Sequence, residues 1–297
     1  MANPRIIVGI GEALFDVFPD AQRLGGAPLN VAVHAQQLGD TGIVVSRVGQ
    51  DDLADQIIAE LRRRGMTTAH LQSDPDHPTG TVEVDASDPH APRYNILPGA
   101  WDYLTYDGDL DEPARRCHGV CFGTLAQRNA PSRGTIYRFL VGAKNAERLF
   151  DVNLRQDFYD RRCILRSLEH ATSIQLNTDE LATLTKLLNL PGEDADTQIA
   201  SLLRTYNLRW AALTAGPKGT TIYTPTQKFV GAPVVVTSQA DAVGAGDAVA
   251  AALLHGITRR WDWPRTLTLA NTLGAFVASH AGACPELNDE IRKLAGA

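Results

Sequence analysis

Asp241-Ala242-Val243-Gly244-Ala245-Gly246-Asp247 runs straight into Ala248-Val249-Ala250-Ala251-Ala252-Leu253-Leu254. The second half is an apolar, strongly helix-forming run, so the Gly-Ala-Gly turn is expected to open a helix. A helix N-terminus presents unpaired N–H groups and a partial positive charge, which together attract anions. Gly244 and Gly246 lack a Cβ, so the backbone there can approach a phosphate closely. Asp247 repels a phosphate, but it is placed to take a proton from a hydroxyl that attacks one. An anion hole made by Gly244, Ala245 and Gly246 beside a general base is the minimal equipment for phosphoryl transfer to an alcohol. The same residues also read as a glycine-rich loop with an aspartate helix cap, and the rest of the chain has to decide between the two.

The chain has 297 residues, enough for one large α/β domain or two smaller ones. Its composition is that of a globular protein, 44% hydrophobic and 21% charged. A net charge of −6 without a basic run argues against nucleic-acid and membrane-surface partners. The densest basic cluster, Arg62-Arg63-Arg64, suits a helix C-terminus. No segment approaches the roughly 20 apolar residues of a membrane span, and Glu12 and Asp16 interrupt the apolar start too soon for a signal peptide. The four cysteines lack zinc-site spacing and read as buried free thiols. A soluble protein of a reducing, cytoplasmic compartment is expected.

Ile6 to Ile10 reads as a buried strand. Asp51-Asp52-Leu53 starts a helix with Leu53, Ile57, Ile58 and Leu61 on one face and Gly65 as its stop. Further strands are expected at 120–122, 149–152, 174–176 and 211–214, with helices near 132–147, 178–189, 195–206, 246–257 and 264–280. This alternation implies a mostly parallel sheet covered by helices on both faces, a three-layer α/β/α arrangement. Ligands of such sheets sit at the carboxyl ends of the strands. Asp16, Gly123, Asp151, Asn177 and Gly216 follow expected strands and can converge there. Residues 12–18 and 79–104 instead alternate as half-buried strands, a small sheet inserted into a single domain over 1–297. A lid that excludes water is its functional reading, a plain edge extension the other. Exposed lid edges would be covered by strand pairing in a homodimer.

Two signatures near opposite ends of the chain resemble those of the ribokinase-like (PfkB) carbohydrate kinases, most closely the fructokinase branch. The first is Gly25-Gly26-Ala27-Pro28-Leu29-Asn30-Val31-Ala32, followed by Leu38-Gly39 and Val45-Ser46-Arg47-Val48-Gly49-Gln50-Asp51. The second is the Asp-x-x-Gly-Ala-Gly-Asp stretch. The resemblance covers essentially the whole chain and implies the ribokinase-like fold with its small β-sheet lid. It also implies an ATP-dependent phosphotransferase acting on a primary hydroxyl, with Mg²⁺ and a monovalent cation, K⁺, as helpers.

Residue by residue, the resemblance makes Asp247 the base and the 244–246 backbone the anion hole. Asn177-Thr178-Asp179-Glu180 resembles an Asn-x-x-Glu motif that organises Mg²⁺ and phosphates, Glu180 indirectly. Helix capping, with Thr178 as cap, is the structural alternative. Thr214, Gly216 and Gly219 resemble the nucleotide loop, where a hairpin turn is the alternative. Asn271 and His280-Ala281-Gly282-Ala283-Cys284-Pro285 resemble the adenine pocket, and that segment with Asp241 resembles the monovalent-cation site. On the sugar side the resemblance points to Asp16, Gly25, Gly26, Asn30, Tyr94 and Arg155. A carboxylate such as Asp16 accepts two hydrogen bonds from vicinal hydroxyls. Asp151-Val152-Asn153-Leu154-Arg155 resembles a motif shared by fructokinases and 2-keto-3-deoxygluconate kinases. Tyr94-Asn95-Ile96 and Phe122 to Arg128 favour the fructokinase branch. Ala242 and Val243 stand where the family often carries Thr.

The implied reaction is D-fructose to fructose 6-phosphate. The alternatives are ketodeoxygluconate or another sugar or nucleoside as acceptor, or a catalytically silent sugar-binding regulator on the same fold.

Overall fold

Short β-branched runs alternate with amphipathic helices along most of the chain, and the two kinds of segment sort into layers as that alternation dictates. The computed structural model describes residues 3–18, 21–85, 93–233 and 243–296. In chain order the strands are β1 (Ile6–Ile10), β2 (Leu14–Val17), β3 (Gln22–Gly25), β4 (Thr41–Val48), β5 (Leu71–Ser73), β6 (Gly80–Asp85), β7 (Arg93–Ile96), β8 (Gly119–Phe122), β9 (Glu147–Asp151), β10 (Ser173–Asn177), β11 (Trp210–Thr214), β12 (Thr220–Tyr223) and β13 (Lys228–Val230). The α-helices are α1 (Ala27–Gln37), α2 (Asp52–Arg63), α3 (Asp111–Arg116), α4 (Ala130–Gly142), α5 (Arg161–His170), α6 (Thr178–Leu188), α7 (Ala195–Thr205), α8 (Ala245–Thr258), α9 (Trp263–Ala278) and α10 (Asp289–Ala295).

The large sheet has the order β13-β12-β11-β10-β9-β8-β1-β4-β5. It is parallel from β5 to β11, and β12 and β13 finish one edge antiparallel. Side-chain alternation along each strand feeds two cores. On β1, Ile7 belongs to the core shared with α1, α8, α9 and α10, while Val8 and Ile10 join the core under α3 to α7. A third cluster packs α2 (Ala54, Ile57, Leu61) onto α1 and β4.

The second sheet, β3-β2-β6-β7, stands over the carboxyl end of β1. Only its β2–β6 pair is parallel. Arg128 fixes its base: the guanidinium makes a two-point ion pair with Asp102 at 2.7 and 2.8 Å and donates to the Leu97 carbonyl. It also lies over the rings of Trp101 and Phe158, so charge, shape and stacking all hold one geometry. Asp51 does similar work on the other side, capping α2 through Ala54 N–H while accepting both the N–H and the hydroxyl of Thr79 just before β6.

The expected helix at 132–147 is shorter and earlier, Ala130–Gly142, because Asn129 caps it and β9 already begins at Glu147. Among the described residues no helix is long and apolar enough to cross a membrane.

Candidate active site

Helix α8 starts at the carboxyl end of the sheet. Its N-cap is Gly244, with φ 80° and no side chain to satisfy the first-turn N–H groups, which leaves those donors facing the cavity. A Cβ at Gly244 would lie 2.6 Å from Ala283, so only glycine lets the loop after α9 press against this turn. His34 of α1 holds that loop through a 2.9 Å bond from its ring to the Ala283 carbonyl, and burial pulls the imidazole down to about 4, so it stays neutral.

Asp247 lies in the first turn of α8 and is 9% exposed. The Asn30 amide donates to its Oδ2 at 2.8 Å, and the Cys284 thiol donates to Asn30 Oδ1 at 3.3 Å, which fixes the amide's orientation. Asn30 is presented by α1, whose N-cap Gly26 has φ 108°; a Cβ there would meet the Glu12 carbonyl at 2.4 Å. The N-termini of α1 and α8 thus both point into one cavity of about 620 Å³.

The opposite wall comes from the strand ends after β9 and β10. Asn177 caps α6 itself, accepting from the N–H groups of Asp179 and Glu180, each at 2.9 Å, so Thr178 is not the cap. The Glu180 carboxylate completes the capping box by accepting Asn177 N–H, and its other oxygen accepts Leu154 N–H at 3.0 Å. It therefore ties the Asn153–Arg155 loop to α6. Asn153 and Gln156 in that loop hold positive φ of 37° and 48°, a conformation unusual outside glycine and maintained by its surroundings. Gln175 bridges to the first turn of α8, donating to the Gly246 carbonyl at 2.9 Å.

Among the described residues, five carboxyl groups line the cavity (Glu12, Asp16, Asp151, Glu180 and Asp247) with Arg155 as the lining cation. Burial raises Asp247 above the usual carboxylate range, while the Asn30 hydrogen bond and Arg155 pull it back. Asp151 is pushed well up by burial and then by Asp247 and Glu180. Burial and the neighbouring Asp247 bring Glu12 to about 7. Its Oε2 is buried with no hydrogen-bond partner among the described residues. This donor set suits cations and polyhydroxy ligands, and the α8 N-terminus suits phosphate. A metal ion beside Glu180 would meet a carboxylate whose two oxygens each already hold a backbone N–H, which favours contact through water.

Of the residues singled out in the sequence, Asp16, Gly25, Gly26, Asn30, Arg155, Asn177, Glu180, Thr214, Gly244, Gly246 and Asp247 line this cavity. Ala245 is the first residue of α8. Gly216 and Gly219 form the hairpin turn between β11 and β12, beyond the lining, and Asn271 braces that hairpin by accepting Thr220 N–H at 3.1 Å and donating to the Ala232 carbonyl. Tyr94 lies in β7 with its side chain outside the described residues, as is Asp241 with the cation site read there. Asp151, expected at the ligand end of the sheet, also lines the cavity, whereas Glu12 and Gln175 carried no role from sequence. Glu12 carried a signal, an acidic residue two positions after a buried strand; Gln175, inside β10, carried none.

The sequence pattern of the pfkB family carbohydrate kinases matches residues 15–290. Similar proteins include the fructokinase of Salmonella typhimurium, 29% identical with 94% of each chain covered, and that of Klebsiella pneumoniae, 30% identical over 96% of this chain and 97% of the other. Among solved structures, fructokinase from Vibrio cholerae O395 with fructose, ADP and calcium ion bound superposes with a TM-score of 0.83 at 24% identity over 98% of both chains. The 2-dehydro-3-deoxygluconokinase of Thermotoga maritima superposes at 0.86 with 17% identity over 99% of both. At those identities the likeness speaks for the fold.

Proposed function

The chain belongs to the pfkB family of carbohydrate kinases, phosphotransferases with an alcohol acceptor, and on that premise we propose that it phosphorylates the 6-hydroxyl of D-fructose with ATP. One observation carries the reading. A buried carboxylate, Asp247, sits in the first turn of a helix whose N-terminal donors lack side-chain partners, and it is oriented by the Asn30 amide.

Asp247 accepts the proton of the primary hydroxyl as that oxygen attacks the terminal phosphoryl group. The first-turn N–H groups at Gly244 to Gly246 offset charge on the phosphoryl oxygens. Asp16, Asn30 and Arg155 fix the sugar so that the hydroxyl stands in line. Mg²⁺, when bound, would neutralise and orient the phosphates, reached from Glu180 through water. Asn177, Thr214 and the 216–219 turn bracket the nucleotide side, with Asn271 behind. The β2, β3, β6 and β7 sheet acts as the lid of a single kinase domain and limits hydrolysis by water.

Arg155 gives a specific reason to hold a second acceptor in view, because the lining cation can also receive a substrate carboxylate. The deciding experiment is ADP release with Mg-ATP in K⁺ buffer across D-fructose, 2-keto-3-deoxygluconate, ribose, glucose and adenosine. Turnover concentrated on fructose is expected. Turnover concentrated on ketodeoxygluconate would move the reading to the acidic sugar. Fructose binding without ADP release on any acceptor would reduce the chain to a silent binder.

A further inference from the structure

A second concavity, of about 480 Å³, opens at the amino-terminal end of the large sheet. Arg5 precedes β1, Arg115 and Arg116 end α3, Arg260 follows α8, and these arginines line it together with His118. The nearest carboxylates are already engaged. Glu112 pairs with Arg116, and Asp40 binds Arg259, His255 and the Arg5 N–H. The guanidinium groups of Arg5, Arg115 and Arg260 have no hydrogen-bond or ion-pair partner among the described residues. His118 adds a donor: its Nδ1 accepts Ile6 N–H at 3.0 Å, so the neutral ring carries its proton on Nε2. Burial, then Arg5, depresses its protonation, which keeps that tautomer.

Arg260 adds an independent sign. It directly follows the C-cap of α8 with φ 60°, the left-handed position where glycine or asparagine is the usual occupant. An arginine there is held in a backbone conformation that disfavours its side chain, yet that side chain lines the basin. Three unpaired guanidinium groups, a fourth with an exposed partner and an oriented imidazole N–H share this lining with Cys117, Asn145 and Thr258 and with no carboxylate, in a chain of net charge −6. Guanidinium forks match phosphate oxygens in two-point geometry.

We propose that this basin is a second ligand site, for a small phosphorylated anion carrying at least two negative charges. It lies at the far end of α8 from Asp247, about 20 Å away for a helix of 14 residues.

The test is calorimetric titration of the full chain at low ionic strength with two probes, sodium pyrophosphate and fructose 1,6-bisphosphate. It compares wild type with Arg260→Gly, Arg115→Ala and Asp247→Asn, and reads thermal midpoints in parallel. Arg260→Gly is expected to weaken binding about tenfold or more while leaving the midpoint equal or higher, since glycine relieves the backbone. Arg115→Ala is expected to weaken it similarly without touching α8, and Asp247→Asn to leave it unchanged. Tighter binding of the bisphosphate would assign the ligand to phosphorylated sugars, tighter binding of pyrophosphate to inorganic phosphates. Equal affinity in wild type, Arg260→Gly and Arg115→Ala would assign the binding to the other cavity and overturn the proposal, as would no binding of either probe at millimolar concentration. None of these readings depends on kinase turnover, so they stand apart from the choice of sugar.

Discussion

The two ends of α8 carry opposite charge, and both obey the helix dipole. Carboxylates gather around its N-terminus and guanidinium groups around its C-terminus. Burial is what separates them. At the N-terminal end Glu12, Asp151, Glu180 and Asp247 are buried, and each titrates above its ordinary range. At the C-terminal end Arg115, Arg116 and Arg260 are exposed. Charges held out of water are reactive and costly, whereas charges left in water are cheap and wait for a counter-ion. One helix therefore joins a site suited to proton transfer to a site suited only to attraction.

The strongest way to break this comparison is Asp247→Asn. Turnover is expected to fall on the order of 10³-fold with sugar binding largely kept, read by ADP release and by titration with fructose. Near-normal turnover would remove Asp247 as base and leave the N-terminal end merely acidic.

Glu12→Gln sharpens the burial argument through stability. The folded carboxyl titrates at about 7 against an ordinary 4.5, so its contribution is fully present below 4.5 and is lost as pH rises through 7. The glutamine variant should therefore gain on wild type by about 3 kcal/mol between pH 4 and pH 8 in urea unfolding. Parallel stability curves would contradict the burial of that charge.

Asn30→Ala removes the donor that lowers Asp247. Turnover should drop about tenfold, and the acidic limb of the turnover–pH profile should move to higher pH. An unmoved limb would mean that Asn30 serves the sugar alone.

Cys284→Ala tests the weakest link, since a thiol is a poor donor. An effect of about twofold to threefold is expected, with Cys284→Ser restoring wild-type turnover by supplying a hydroxyl to Asn30.

Much of the frame was legible in the chain because it is local. Ile6 to Ile10 is the strand its apolar run announces, Asp51 caps the helix expected there, and the apolar stretch after Gly246 forms α8. Less legible were α1, β4 and α5. The polar residues of α1, Asn30, His34 and Gln37, are buried with it and blur its amphipathic pattern. In α6 the cap fell one residue earlier than Thr178, because Glu180 reaches back to Asn177 rather than standing free in the first turn.

By itself the sequence determined the alternation of strands and helices, the anion-seeking turn before α8 and the presence of Asp247 behind it. These follow from propensity, period and glycine spacing within a few residues. Tertiary structure alone decided that Asn30, 217 residues away, holds that carboxylate, that burial lifts Glu12 near it to about 7, and that Glu180 anchors the Arg155 loop. It also decided that arginines from separate segments meet at the far end of α8. The physical reason is the same in each case. Hydrogen-bond partners, burial and local charge are properties of places where distant segments meet, and no short stretch of chain contains such a place.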